Sequence, residues 1–290
     1  MSGMYIHSAS AFIGKASGDL ALLKEEIRRY TQENFRRSNR FILLSLLGAR
    51  QCIQQRSLEA DTAVYLTTEH GNLGETAIVL DEIYAAHSLP KPFSFINTMS
   101  NTAAFYLAQN LGTRGRNITV SSQRLSFERG LDLLAVDFAA GAERSALIGG
   151  VDEASLSGAG GGERNGRAWR MVDGSGWFTV RPEWEGACGE FRENRSFRDG
   201  PTFLKWLRER ARRPAEMVAF GASIGDDEAA RWRAALNPVA LFDYLADYGY
   251  CGSAAACGIA MFVKHFPGRT LLHINRDPRG NYAVLEVGVF

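Results

Sequence analysis

The chain has 290 residues, 46% of them hydrophobic and 11% aromatic, a globular composition that excludes disorder over most of its length and leaves room for one large core or two domains. Charge nearly cancels, 33 Lys and Arg against 32 Asp and Glu, which argues against an extended nucleic-acid surface. Cys52, Cys188, Cys251 and Cys257 form no CxxC pair, no basic leader with an apolar stretch opens the sequence, and the longest apolar run, around 252–263, is too short for a bilayer span. A reducing, cytoplasmic location without a membrane span is expected.

Residues 5–13 read as a short strand, and 19–30 as a helix with Leu20, Leu22, Leu23 and Ile27 at its apolar positions. The apolar segment 41–47 reads as a buried helix framed by Arg36, Arg37, Arg40 and Arg50. The β-branched run 61–68 predicts a strand and 71–87 a helix carrying Ile78, Leu80, Ile83 and Tyr84 at helical spacing, together a β-α unit. Pro90 and Pro92 precede a helix over 102–110, for which Ser100 or Asn101 supplies an N-cap and Gly112 the stop. A strand at 117–122, a helix at 126–140 turning Leu131, Leu134, Ala135 and Phe138 inward, and a strand at 145–151 come next. The glycine-rich stretch 158–162 lacks GxGxxG spacing and reads as a flexible loop. Beyond it come a strand around 177–180, a loop holding Gly186 and Gly189, a helix over 202–212 and a strand at 217–220. Residues 226–236 and 239–248 read as helices, 253–266 as a small-residue helix, and 270–274 with 282–287 as a hairpin about Asp277-Pro278-Arg279-Gly280. The alternation predicts an α/β fold with a largely parallel, helix-covered sheet in two similar halves.

Local motifs for common chemistries are missing. The chain has no HExxH pair or P-loop, and His7, His70, His87, His265 and His273 lie too far apart in sequence for a metal pair, so each reads as a surface or second-layer residue. Asp226, Asp227 and Glu228 suit the first turn of a helix better than a cation site.

Five segments carry a more specific pattern. PKPFSF at 90–95 leads into NTAAFYLAQNLGTRG at 101–115, NITVSS at 117–122 precedes a helix, ALIGGVDEAS at 146–155 holds a glycine pair followed by acids, and DGSGWFTVRP at 173–182 is a glycine-rich strand. As a set they resemble the β-ketoacyl synthases of the thiolase-like family. The resemblance implies the thiolase-like fold, two similar α/β halves forming layered helix-sheet-helix-sheet-helix, divided here into 1–172 and a shortened 173–290.

It also implies a cysteine nucleophile at the start of the helix after 117–122, where the helix dipole lowers the thiol pKa, and two histidines that assist decarboxylation of a malonyl thioester. Counting back from Gly149 reaches Arg124 in the nucleophile's position. FGASIGDDE at 220–228 puts Phe220 where the first histidine belongs, and GYCGSAAACG at 249–258 puts Tyr250 where the second belongs. Arginine, phenylalanine and tyrosine can do neither job. Gln123 stands next to Arg124, and a ketosynthase variant with glutamine in the cysteine position can still decarboxylate malonyl units, but that reaction needs the histidines too.

A scaffold without its chemistry resembles the chain-length factor, the silent subunit paired with an active ketosynthase in type II polyketide systems. Its shortness resembles the reduced partners of aryl-polyene clusters. The resemblance implies a heterodimer with a full-length ketosynthase, contact with an acyl carrier protein through that complex, and no cofactor or metal. Pairing would run along Asn117, Ile118, Thr119, Val120 and Ser121, and Met99, Thr102, Ala103 and Tyr106 would shape the end of the partner's acyl tunnel. Arg124 is expected to pair with an acidic neighbour, since a buried unpaired guanidinium is costly. Two other readings stay open: an active acyltransferase using Ser121, Ser122 or Ser126 with an unseen base, and a homo-oligomeric binding protein.

Overall fold

The computed structural model describes residues 3–15, 20–33, 35, 38–54, 56–154, 162–164, 167–212, 215–236 and 239–290. Arg36, Arg37 and the glycine stretch at 158–161 lie outside the described residues. The first run of elements is β1 (Tyr5–Lys15), α1 (Leu20–Arg28), α2 (Arg40–Ile53), β2 (Ala63–Thr68), α3 (Leu73–Tyr84), α4 (Pro92–Asn97), α5 (Asn101–Leu111), β3 (Asn117–Ser121), α6 (Ser126–Ala139) and β4 (Ala146–Asp152). A small hairpin, β5 (Gly162–Arg164) and β6 (Arg167–Trp169), precedes the long strand β7 (Val172–Arg181). The second run is β8 (Gly189–Phe197), α7 (Gly200–Arg210), β9 (Met217–Phe220), α8 (Asp226–Ala235), β10 (Ala240–Leu241), α9 (Tyr244–Tyr248), α10 (Ala254–His265), β11 (Thr270–Arg276) and β12 (Tyr282–Val289).

Among the described residues ten strands join in the order β10-β9-β11-β12-β8-β1-β7-β4-β2-β3. Outward from the β1/β8 contact, each group of five repeats one pattern: first strand, fifth, fourth, second, third, with the fifth antiparallel to both neighbours. Among the described residues the strands of the two groups pair with each other where Tyr5 and Ile6 meet Glu190 and Gly189. The sheet is therefore mixed rather than largely parallel, because the last strand of each group runs back between the fourth and the first. Strand β7, expected to open the second half at residue 173, is the fifth strand of the first group, so by strand order the second group starts at β8. Strand β8 itself replaces the expected loop. Its polar middle, Arg192 to Ser196, reads as turn-like in sequence, but pairing with β12 along its length holds it extended.

Three apolar clusters define five layers. Leu23, Ile42, Leu46, Leu66, Leu107 and Trp177 pack α1, α2 and α5 on the outer face of the first group. Between the groups, α6 and α10 contribute Phe127, Leu131, Ile259 and Phe262, which meet Ile148 and Phe178 on one side and Leu271 and Leu285 on the other. On the far side, Phe203, Trp206 and Trp232 of α7 and α8 cover Val218 and Val284. The small residues of α10 permit this close layering: a side chain at Gly176 would come within 2.7 Å of the Ala256 backbone. The helix-sheet-helix-sheet-helix arrangement expected from the sequence is present.

Helix α3 departs from expectation. Ile78, Leu80, Ile83 and Tyr84 do recur at helical spacing, yet of the side chains on α3 only Val79 is buried. Phe93, Phe95, Ile96, Met99 and Phe105 on and around α4 and α5 are also exposed, so one surface region carries most of the exposed large apolar side chains. Ser100 makes no side-chain cap to α5, whereas Gly112 ends that helix in the left-handed conformation at φ 71°.

Candidate functional site

In sheets of this kind the loops at the carboxyl ends of parallel strands gather into one crevice. Here those loops supply Glu69 and His70 after β2, Ser122 to Leu125 after β3, and Gly221 to Ser223 after β9. The parallel register that sets Thr68 beside Ser121 brings the first two together.

The turn from β3 into α6 is sharp. Its left-handed residue is Gln123, at φ 52°, with Arg124 following it. A non-glycine residue held there costs on the order of 1–3 kcal/mol and persists because its surroundings fix it. The Ser126 hydroxyl accepts the Ser122 N–H at 2.8 Å and lies 2.8 Å from the Thr68 carbonyl, pinning the turn to β2. Counting along the sequence points to Arg124, whereas the backbone puts the strained position one residue earlier.

Arg124 donates to the Ser223 hydroxyl, and its Nε lies 3.7 Å from Glu69 Oε1. The expected acidic neighbour is thus Glu69. Tyr250 donates to the other oxygen of the same carboxylate at 3.1 Å, so Arg124 and Tyr250 converge on one acid whose side chain is largely buried. Phe220 stands apart from that cluster. Its ring packs toward Trp232, at 6.3 Å between centroids, and forms a wall of a cavity of about 210 Å³ with Trp169, Phe242 and Leu245. Asp152, fully buried, holds the β2 loop in place by accepting from the Thr68 hydroxyl (2.8 Å), the N–H groups of Glu69 (2.9 Å) and His70 (3.0 Å), and the Ser253 hydroxyl. Burial raises its carboxyl pKa, and these bonds act in the opposite sense.

No cysteine lies at the turn. Cys251 and Cys257 sit in the core at α10; a hydrogen bond with Cys257 and burial hold the Cys251 thiol well above its usual range. Cys52 is pushed up to about 12 by burial. The hydroxyls of Ser121 and Ser126 are bonded to the carbonyls of Glu69 and Thr68. Among the described residues no hydrogen bond joins Ser121, Ser122 or Ser126 to an imidazole, and no group of three or more His, Cys, Asp or Glu could hold a metal ion. No described helix is long and apolar enough to cross a membrane. His273, read in sequence as a surface or second-layer residue, is fully buried.

The tunnel candidates divide by depth. Met99 is 47% exposed and Tyr106 half-buried, whereas Ala103 is fully buried in the outer core and Thr102 turns its hydroxyl to the Ile96 carbonyl at 2.9 Å. Among the described residues strand β3 pairs only with β2. Because the Val64 N–H bonds the Arg116 carbonyl, the parallel ladder uses the backbone of Ile118 and Val120, and turns the N–H and C=O groups of Asn117, Thr119 and Ser121 outward. Sequence reasoning named Gln123 only as a neighbour of Arg124 and missed Glu69 and Ser223; their common signal is position just past the carboxyl end of a parallel strand.

No protein-family model and no curated sequence matches the chain. Solved structures do. The ishigamide ketosynthase/chain length factor is 16% identical with a TM-score of 0.72, and the match covers 99% of each chain. A type II polyketide acyl-carrier protein in complex with its ketosynthase bound to the hexaketide gives 11% identity and a TM-score of 0.73 over 100% of both chains. A β-ketoacyl synthase from Burkholderia phymatum STM815 gives 11% and 0.72, again over 100% of both. The chain has the thiolase-like fold of ketosynthases and chain-length factors.

Proposed function

We propose that this chain is a non-catalytic, chain-length-factor-like partner of a ketosynthase in a polyene or polyketide system of the aryl-polyene type. One observation carries the reading: strand β3 leads into a turn filled by Gln123 and Arg124, while the outer edge of the same strand is bare among the described residues. The side chains that would be needed for condensation are replaced by an Arg124–Glu69–Tyr250 cluster and by Phe220, and the edge that would be needed for pairing is kept.

In this reading the partner's equivalent strand adds antiparallel to β3 about Thr119, continuing the sheet across a pseudo-two-fold axis. Its helices cover Phe105 on the α5 side of the strand and Val136 on the α6 side, both exposed in the chain alone. Met99 and Tyr106 then stand at the closed end of the partner's acyl tunnel, with Thr102 and Ala103 behind them as support. The acyl carrier protein delivers substrate to the partner's nucleophile, and this chain limits how far the growing product extends.

The test is co-expression with a full-length ketosynthase followed by pull-down and exposure to a radiolabelled acyl donor. The expected outcome is a one-to-one complex with label on the ketosynthase alone. Label on any residue of this chain, or an active homodimer in the absence of a ketosynthase, would overturn the proposal.

A further inference from the structure

Behind the filled turn, α6 carries a carboxyl group that the proposed function does not use. Glu128 is fully buried; its Oε1 accepts from Asn275 Nδ2 at 2.9 Å, and its Oε2 has no hydrogen-bond partner. Facing it from β11 is His273, also fully buried, with Nε2 3.0 Å from the Tyr244 hydroxyl and Nδ1 unpartnered, 3.7 Å from Glu128 Oε1. Each of these two facing side chains thus keeps one orphaned polar atom in the central layer, where an unmade hydrogen bond is costly.

A proton can be arranged there in two ways. An imidazolium facing a carboxylate would desolvate two ions between two sheets, at several kcal/mol each, with one amide as the only additional donor. Among the described residues no other cation is aimed at the pair. Arg129, next on the same helix, bonds Asp132 at 3.0 Å and Ser196 at 2.6 Å; from β8, Asn194 donates to the Glu128 backbone carbonyl and to Asp132; from α9, Tyr244 is neutral. A carboxylic acid facing a neutral imidazole desolvates no ion. Burial drives both groups that way, Glu128 up to about 7 and His273 down to about 4.

We propose that the folded chain holds Glu128 as a carboxylic acid hydrogen-bonded to neutral His273, and that this single proton positions the β3–α6 turn. The chain of contacts runs from the Tyr244 hydroxyl through His273 and Glu128 to Asn275, whose amide also donates to the Arg124 carbonyl at 2.9 Å. A turn at the end of the first group is thereby tied to β11 of the second. The 3.7 Å gap closes by rotation about the terminal torsion of Glu128, which is broad and two-fold. With Nδ1 accepting from the acid, Nε2 carries the hydrogen and gives it to the Tyr244 oxygen, so His273 is locked in one tautomer.

Linkage fixes the sign of the pH response. In the unfolded chain Glu128 and His273 revert to their ordinary values of 4.5 and 6.5, so between these the pair binds one proton folded and one unfolded, and stability from it is flat. Below 4.5 the unfolded pair takes a second proton before the folded His273 does, near 4, and stability falls with acid. Above 6.5 the unfolded pair has released its proton while the folded pair holds it to about 7, and stability falls as pH rises.

Nitrogen NMR of the His273 ring in the full chain, followed from pH 5 to 8 with Glu128→Gln and Glu128→Ala beside the parent, tests this. Expected are a neutral Nε2–H ring in the parent at pH 6; the same tautomer in Glu128→Gln, with stability flat above pH 6.5 and falling below it, where only the unfolded His273 takes up a proton; and at least a roughly tenfold loss in the folded-to-unfolded ratio for Glu128→Ala. An imidazolium signature in the parent at pH 6, or equal losses in the two variants, overturns the proposal. If neither variant folds, the parent's ring state alone decides.

Discussion

Strands β3 and β10 are equivalent by topology, each the third of its group and each last in the sheet, and they are finished in opposite ways. Strand β3 has five residues, an outward row of N–H and C=O groups that pair with no other strand among the described residues, and exposed apolar side chains on both flanks, with Phe105 at 60% and Val136 at 64% exposure. Strand β10 has two residues and lies beyond α8, a charged helix that buries only Trp232. A long bare edge invites pairing and a very short one resists it. The duplicated scaffold therefore ends, among the described residues, in one edge that is long and open and one that is blunted, and nothing in the shared strand order alone would have distinguished them.

The harshest way to break that comparison is proline. Thr119→Pro removes an outward N–H at the middle of β3 while leaving the Ile118 and Val120 bonds to β2 in place. The expected result is loss of ketosynthase capture by on the order of a hundredfold, with the chain still folded by circular dichroism. Leu241→Pro in β10 is the matched control and should leave capture unchanged. Capture that survives the first substitution, or is lost with the second, would show that the two edges do not differ in the way described.

A gentler probe addresses the flanks. Phe105→Glu and Val136→Glu put a charge on either side of β3 without touching its backbone. Each should weaken the complex by roughly tenfold, the scale of an unpaired charge desolvated in part at an interface, while melting temperature moves little because both positions are surface ones in the free chain. Competition pull-down against the parent chain measures the first and thermal unfolding the second. An effect from only one variant would confine the interface to one side of the strand.

The difference between the edges also marks what was legible in the sequence. Helices α6 and α10 and strand β4 could be read from periodicity and the glycine pair, because each is buried on faces that the pattern records. Strand β8 could not, since its middle is polar and is held extended by β12, a partner far along the chain. The apolar spacing of α3 was visible, but period alone does not say whether a stripe faces this core or another protein's. At the β3–α6 turn, the resemblance led to the expectation that Arg124, Phe220 and Tyr250 stand where a nucleophile and two histidines would be. Residue types could not reveal Glu69 as the acid that Arg124 and Tyr250 share, because that meeting depends on the Thr68–Ser121 register. Nor could they locate the strained residue, which is a matter of φ at Gln123 rather than of its identity.

The smallest expected effect lies just beyond the β3 edge, at the residues proposed to close the partner's tunnel. Of the four candidates only Met99 and Tyr106 reach the surface, so in the proposed complex these two touch the growing chain directly, and Thr102 and Ala103 have no contact of their own with it. Met99→Ala shortens an exposed side chain and should alter complex stability by no more than about 0.5 kcal/mol. Product length is where it should register: mass spectrometry of the acyl chain released from the co-expressed pair is expected to shift toward longer species, with Tyr106→Ala acting in the same direction. Thr102→Ser, which keeps the hydroxyl bonded to the Ile96 carbonyl, should leave the distribution alone. Unchanged length with Met99→Ala and Tyr106→Ala in an intact complex would make this surface interface packing only. The asymmetry of the two sheet edges would then mark where a partner binds and say nothing about how long its product grows.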